Sequence, residues 1–239
     1  MTTPTPTTLT YWNGRGKAES IRLLLAICGE DYTEQVPLFD DTTHITTAEH
    51  VQTLRKEGYL LMNQLPLLCI DGMRLVQSGA ITRYLAKKHQ LCGDGTVEQE
   101  VLCDMLNDSI TDWRTMGYGP FEFELSYEPT PEQRTKLVHA NAKYLPLFER
   151  QLQKNNSKNY LVGTQYTYPD FRLWELLVEV VPHLEDAVLE KEYPLVARYY
   201  TQLQHHAGIQ QFVASAQRKT KTQDGIPAYK TTVMTSLGY

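Results

Sequence analysis

The pair Asp71-Gly72 lies between two apolar runs, Leu65-Pro66-Leu67-Leu68-Cys69-Ile70 and Met73-Arg74-Leu75-Val76, and constrains this chain more than any other feature. Asp-Gly supplies the backbone freedom of a tight hairpin turn, and the flanking runs supply its strands. An antiparallel hairpin is expected over residues 65–76. A lone hairpin is marginal in water, so the neighbouring segments must extend the sheet and cover its faces.

The segments upstream have the right character. Thr8 to Trp12 is a short β-prone run stopped by Asn13-Gly14-Arg15-Gly16, which reads as a strand and then a loop. Lys17 to Cys28 carries Ile21, Leu24, Leu25 and Cys28 at helical spacing, with Gly29 as a C-cap. Tyr32 to Pro37 reads as a second strand, and Thr46 to Glu57 as a helix ending at Gly58. After the hairpin, Ser78 is expected to cap a helix with Ile81, Tyr84 and Leu85 on one face. The order strand, helix, strand, helix, strand, strand, helix describes a small α/β sandwich of thioredoxin type over residues 9–91. Residues 1–8, rich in Thr and Pro, form an expected disordered lead-in.

Beyond residue 92 the pattern turns helical. Val97 to Trp113 and Pro131 to Leu152 are expected helices, the latter with proline at its first turn. Thr167-Tyr168-Pro169-Asp170 is a start signal, Asp170 reaching back to an orphan amide ahead of Phe171 to Val181. Shorter helices are expected at Leu184–Leu189 and Leu195–Leu203. Residues 92–239 thus read as an all-α domain with an irregular polar tail from Lys219.

At 239 residues there is material for two ordinary domains, and the 41% hydrophobic content suits packed cores. The net charge of -5 comes without a block of like charges, so no polyanion groove and no nucleic-acid partner is expected. No apolar run is long enough to cross a bilayer, and the N-terminus does not read as a signal peptide. The four cysteines include no Cys-x-x-Cys pair, and a reducing compartment, the cytoplasm, is expected. His205-His206 lacks ligand spacing and reads as surface, so no metal is expected. Gly14-Arg15-Gly16 lacks the third glycine of a dinucleotide site.

Some residues invite chemistry. Tyr11 ends the first strand beside a glycine-rich turn into a helix, where backbone amides attract an anion. A phenol there could donate to a bound sulfur and favour its thiolate, the nucleophilic form. Tyrosine is also an ordinary strand residue, and the pattern alone favours that plainer reading. Pro66 opens a strand and is ordinarily trans. Gln77-Ser78 opens a helix whose first amides could hold a carboxylate. Arg15, Lys17 and Arg55 are candidate cationic partners or plain surface charges.

Taken together, these segments resemble the cytosolic glutathione transferases of the tyrosine type, nearest the alpha class with sigma and mu features. The resemblance runs from Leu9 to Phe212. It rests on Leu9 to Arg22, Leu54 to Leu60, Asn63 to Pro66, Ile70 to Ser78, Ala80 to Leu85, Tyr160 to Gly163 and Thr167 to Asp170. It implies an enzyme that takes glutathione as co-substrate and transfers its thiolate to a hydrophobic electrophile or a peroxide. Glutathione-dependent isomerisation of the sigma kind, and a non-catalytic carrier or crystallin-like role, are the alternatives it leaves.

The resemblance makes Tyr11 the thiolate-stabilising hydroxyl. Lys17 stands where alpha-class sequences carry Arg. Arg55 would meet the glycyl carboxylate. Gln64 and Leu65 would contact the peptide backbone ahead of a cis Pro66, and Gln77 and Ser78 would hold the γ-glutamyl end. Asp112 would reach glutathione bound by a partner subunit, implying a homodimer. Trp12, Met116 and Tyr118 are the expected electrophile pocket, with core packing the competing role. Residues 113–127 and the tail Ile226 to Tyr239 depart from the alpha-class pattern.

Overall fold

The computed structural model describes residues 6–36, 47–118, 130–155 and 159–219. The lead-in up to residue 5 and the tail from residue 220 lie outside them. The first half holds strands β1 (Thr8–Thr10), β2 (Thr33–Gln35), β3 (Leu67–Ile70) and β4 (Met73–Val76). Helices α1 (Glu19–Ile27), α2 (Thr47–Lys56) and α3 (Ser78–Lys88) complete it. The sheet order is β2-β1-β3-β4, with β1 parallel to β2 and antiparallel to β3, and β3 antiparallel to β4. Asp71 and Gly72 have φ of 51° and 76°, the paired positive values of the hairpin turn expected from the sequence. Leu9, Leu67, Leu68 and Ile70 are buried under α1, whose Ile21 and Leu23–Leu25 close the core.

The second half is helical: α4 (Val97–Trp113), a π-helical turn (Arg114–Tyr118), α5 (Pro131–Lys154), α6 (Tyr168–Val180), α7 (Val188–Glu192), α8 (Pro194–Gln204) and α9 (Ala207–Ala214). Helix α6 is buried on nearly every side, as a helix at the centre of a bundle must be. Its start behaves as the sequence indicates. The Asp170 carboxylate accepts from Thr167 N–H at 2.7 Å, Thr167 Oγ1 at 2.6 Å, Leu161 N–H at 2.9 Å and Tyr199 Oη at 2.7 Å. Trp113 ends α4 fully buried, stacked on Tyr144 and Phe148, with Nε1 donating to Asn141 at 3.0 Å.

Four local readings change. The helix expected at Leu184–Leu189 is displaced to Val188–Glu192, because Val181–His183 is a 3-10 turn and Ala187 adopts a left-handed φ of 60°. The cap of α3 falls on Gln77 rather than Ser78, which is already the first helical residue. Helix α9 was not expected; its Gly208 lets it lie on α1, where a Cβ would come within 2.7 Å of Ile27 Cδ1. His206, read as surface, is half-buried with its ring edge-on to Tyr166 and Phe171.

The halves are tied by charge as well as packing. Glu19, fully buried on α1, meets Arg22 at 3.0 Å and Arg218 at 2.6 Å, while Lys219 reaches Glu34 at 2.9 Å.

Candidate functional site

The site begins with the loop that leaves β1. Arg22, fully buried on α1, donates to Gly14 O at 2.8 Å and Trp12 O at 3.3 Å, and its Nε donates to Glu34 at 2.8 Å. One guanidinium therefore sets the path of the chain just beyond Tyr11. The Tyr11 hydroxyl accepts the Lys17 backbone N–H at 3.0 Å. That N–H uses an oxygen lone pair and leaves the phenolic proton to be donated elsewhere. Gly16, at φ 40°, covers the hydroxyl: a Cβ there would lie 2.5 Å from Tyr11 Oη. Burial raises the Tyr11 pKa, opposed by the Lys17 amide and by the charges of Arg22 and Arg114. The phenol stays protonated at neutral pH.

A cavity of about 420 Å³ opens on the other side of Gly16 and Lys17. One wall is Gln64, Leu65 and Pro66, and the Leu65–Pro66 bond is cis, as the resemblance implied. Its end is Gln77, Ser78 and the start of α3. Gln77 sits at φ 71°, ψ 109°, a conformation rare for a residue with a side chain and concentrated at functional sites. The opposite wall comes from the helical half: Asp108 and Thr111 of α4, Arg114 and Thr115 of the π turn, and Arg172 of α6.

Lys17, Gln64, Leu65, Pro66, Gln77 and Ser78 are thus brought together; Tyr11, 7% exposed, does not itself line the cavity, and its hydroxyl lies against Gly16, which does. Arg55 is not in the wall. It donates through Nε and Nη2 to Asn63 O at 3.0 and 2.9 Å, bracing the loop that presents Gln64. Asp112 is exposed on α4 and also lies off the wall, whereas Asp108, one turn earlier, lines it and pairs with Arg83. Trp12 is buried in the core and Met116 is 40% exposed; neither lines this cavity. The Tyr118 side chain lies outside the described residues.

The sequence reading missed Arg22, Arg83, Asp108, Thr111, Arg114 and Arg172. The only sequence signal for Arg22 and Arg172 was a basic residue inside an otherwise apolar helical run. No cluster of His, Cys, Asp and Glu suited to a metal occurs among the described residues.

Two family models match, the glutathione S-transferase N-terminal domain over residues 7–87 and the glutathione S-transferase C-terminal domain over residues 116–216. Mouse glutathione S-transferase A4 is 33% identical over 91% of this chain and 92% of its own length. Human glutathione S-transferase A1 is 34% identical over 86% of each. This chain is a glutathione S-transferase. The transferase from Ascaris lumbricoides superposes with a TM-score of 0.73 at 28% identity, covering 91% of this chain and all of that one. A monomeric transferase from the hookworm Necator americanus shares the fold, with a TM-score of 0.73 at 23% identity, covering 91% of this chain and all of that one. The thioredoxin-like first half and all-helical second half of this transferase are the family's architecture.

Proposed function

We propose that this transferase binds glutathione in the cavity between Leu65 and α4, with the cysteinyl sulfur against the Tyr11 hydroxyl, and transfers it to a hydrophobic electrophile. The observation that carries the reading is the Tyr11 oxygen held by the Lys17 N–H behind Gly16, which leaves the phenolic proton for an anion at the wall. The α-amino and α-carboxylate groups of the γ-glutamyl end fit Gln77, Ser78 and the first amides of α3, where the helix dipole favours negative charge. The peptide backbone runs beside Leu65. Arg55 acts by bracing the Gln64 loop.

The chemistry balances simply. The thiol proton is lost to water on binding, and Tyr11 keeps its own proton and donates it as a hydrogen bond to the sulfur anion. The thiolate attacks an electrophilic carbon, forming the S–C bond as the leaving group departs with its electron pair. With a conjugated acceptor, water supplies the proton instead. Preorganised donors aimed at a developing or stored charge are worth about 10²–10³ in rate.

On the same reading the transferase is a homodimer, with the exposed Asp112 of α4 reaching the glutathione bound by the partner subunit. Free Cys28, Cys69, Cys92 and Cys103 suit a reducing compartment such as the cytoplasm. Among the described residues, no helix is long and apolar enough to cross a membrane.

Titrating bound glutathione at the thiolate absorbance band tests the mechanism. The thiol pKa is expected to fall from about 8.5 toward neutral, and Tyr11→Phe is expected to restore it and lower kcat/KM about 10²–10³-fold. Equal titrations for wild type and Tyr11→Phe would refute the role of Tyr11. Turnover of a panel of electrophiles and organic peroxides then identifies the acceptor class.

A further inference from the structure

Among the described residues, the hydroxyl side chains that line the cavity belong to Ser20, Ser78, Thr111 and Thr115. A hydroxyl has one proton to give and two lone pairs that accept. Thr111 gives its proton to Asn107 O at 3.0 Å, and Thr115 gives its own to Thr111 O at 2.8 Å, one helical turn back in each case. Ser78 is only half-buried, so water can take its proton. Ser20 is different. It is 4% exposed, and its oxygen accepts Arg172 Nη1 at 2.7 Å. Among the described residues nothing accepts its proton, not even the carbonyl one turn back that a helical serine often takes.

Arg172 of α6 accounts for this. Its guanidinium, 6% exposed, bridges α1 and α4, with Nη1 on Ser20 and Nη2 on Thr111 Oγ1 at 3.1 Å. A guanidinium only donates, and its planar fork fixes both nitrogens together. Ser20 is thereby held as an acceptor on the side facing α6, and its proton must point away from Arg172. The Nε of Arg172 is likewise buried without an acceptor. Buried donors are ordinarily satisfied, so this wall of the cavity is built to meet an acceptor on a ligand.

Tyr11 is arranged in the same way. Its oxygen accepts the Lys17 backbone N–H at 3.0 Å and keeps a proton to give. Ser20 lies three and four residues beyond Lys17 and Gly16, on the helical turns that run from Gly16 into α1. Residues so spaced stand about 5–6 Å apart at Cβ, and Gly16 packs against the Tyr11 hydroxyl. The two hydroxyl protons therefore flank one short stretch of chain, at a separation that a single large acceptor can bridge.

We propose that Ser20 is a second hydroxyl donor to the cysteinyl sulfur of bound glutathione, alongside Tyr11, and that Arg172 is the positioning residue that turns the Ser20 proton toward it. This rests on the reading of the cavity given above. No covalent bond is made or broken: Ser20 keeps its proton and shares it with the sulfur, and donation favours the anion over the thiol.

The experiment is titration of the thiol of glutathione bound to wild type, Ser20→Ala, Ser20→Thr, Arg172→Lys and the Ser20→Ala/Arg172→Lys double variant. Affinity for S-methylglutathione, whose sulfur has no proton to lose, is measured alongside, and circular dichroism checks each fold. Ser20→Ala is expected to raise the bound-thiol pKa by about half a unit, a roughly threefold loss of thiolate on the acid side, with affinity for S-methylglutathione little changed. Ser20→Thr keeps the hydroxyl and should titrate like wild type. Arg172→Lys keeps the charge but not the fork and should raise the pKa by a similar amount. The double variant should be no worse than either single one, because both substitutions remove the same hydrogen bond.

A depressed pKa in wild type that Ser20→Ala leaves in place overturns the role of Ser20 and leaves Tyr11 standing. A Ser20→Ala protein that loses affinity for S-methylglutathione as steeply as it loses thiolate does the same, by making Ser20 a packing residue. Should Ser20→Ala fail to fold, Arg172→Lys decides, and a wild-type pKa there overturns the proposal. Additive effects in the double variant remove Arg172 from it. A wild type that binds glutathione without depressing the thiol pKa overturns the reading of Tyr11 as well.

Discussion

The two walls of the cavity are built differently. The wall from the first half is mostly short contiguous segments, Gly16-Lys17, Gln64-Leu65-Pro66 and Gln77 to Ala80, with Ser20 and Arg83 as single side chains. Each segment is a turn or a helix start, so its backbone is presented by local structure. The wall from the second half consists of single side chains, Asp108, Thr111, Arg114 and Arg172, drawn from separate helical turns. The first wall offers amides and a fixed backbone path, the second the side chains of successive helical turns, and both carry charge, Lys17 and Arg83 on one and Asp108, Arg114 and Arg172 on the other. Presented backbone thus comes mainly from the first half, and side chains projecting from helices mainly from the second.

The largest test of that division lies away from the cavity. Asp170 accepts four hydrogen bonds at the start of α6. Asp170→Ala strands several buried donors, each worth about 1–3 kcal/mol, and should destabilise the transferase by about 3–5 kcal/mol in urea. The folded fraction should keep its KM for glutathione. A raised KM would show that the helical half shapes peptide binding, and the division would fail.

Gly16→Ala comes next. Its Cβ would lie 2.5 Å from Tyr11 Oη at a φ of 40°, so the hydroxyl or the loop must move. A displacement of this kind is expected to cost about 10²-fold in kcat/KM, with kcat/KM measured against a single reactive electrophile. Full activity would place the operative hydrogen bond elsewhere.

Ser78→Ala removes the hydroxyl proposed to hold the γ-glutamyl end. It should raise KM for glutathione about tenfold, the worth of one hydrogen bond to a charged group, with kcat little changed. A loss in kcat instead would tie Ser78 to the chemical step. The pH profile sharpens the same point. Burial holds Tyr11 above the ordinary tyrosine value of about 10, so it remains a donor below that pH. The rate should rise with pH as the sulfur loses its proton and then stay level to about pH 9; a fall before that would mean Tyr11 itself ionises.

The smallest effect concerns the protein's own thiols. Burial pushes Cys28 and Cys92 up to about 11 and Cys103 up to about 12. At pH 8 about one in a thousand of the first two is a thiolate, and alkylation of native protein should be slow. Rapid labelling would show looser packing than the structure has.

Which parts of the molecule could be read in advance follows from the same contrast. Asp71-Gly72, the 97–113 helix and the Thr167–Asp170 start are set by interactions a few residues apart, and they stand where the sequence places them. Helix α9 is different. It is short, opens with Ala207-Gly208, and owes its place to contact with Ile27, some 180 residues earlier. Arg172 sits one position from Leu173 in an apolar run, and only the convergence of α1, α4 and α6 turns it toward a cavity. The cap at Gln77 rather than Ser78 was missed because the positive φ of Gln77 is imposed by its surroundings.

Glu19 carries a consequence for anyone recombining relatives of this transferase. Its fully buried carboxylate is met by Arg22 from its own helix and by Arg218, supplied 199 positions later. A chimaera that joins this first half to a foreign second half inherits the acid without its distant base. Position 218 must therefore travel with position 19, and a crossover placed in the turn near residue 93 separates them.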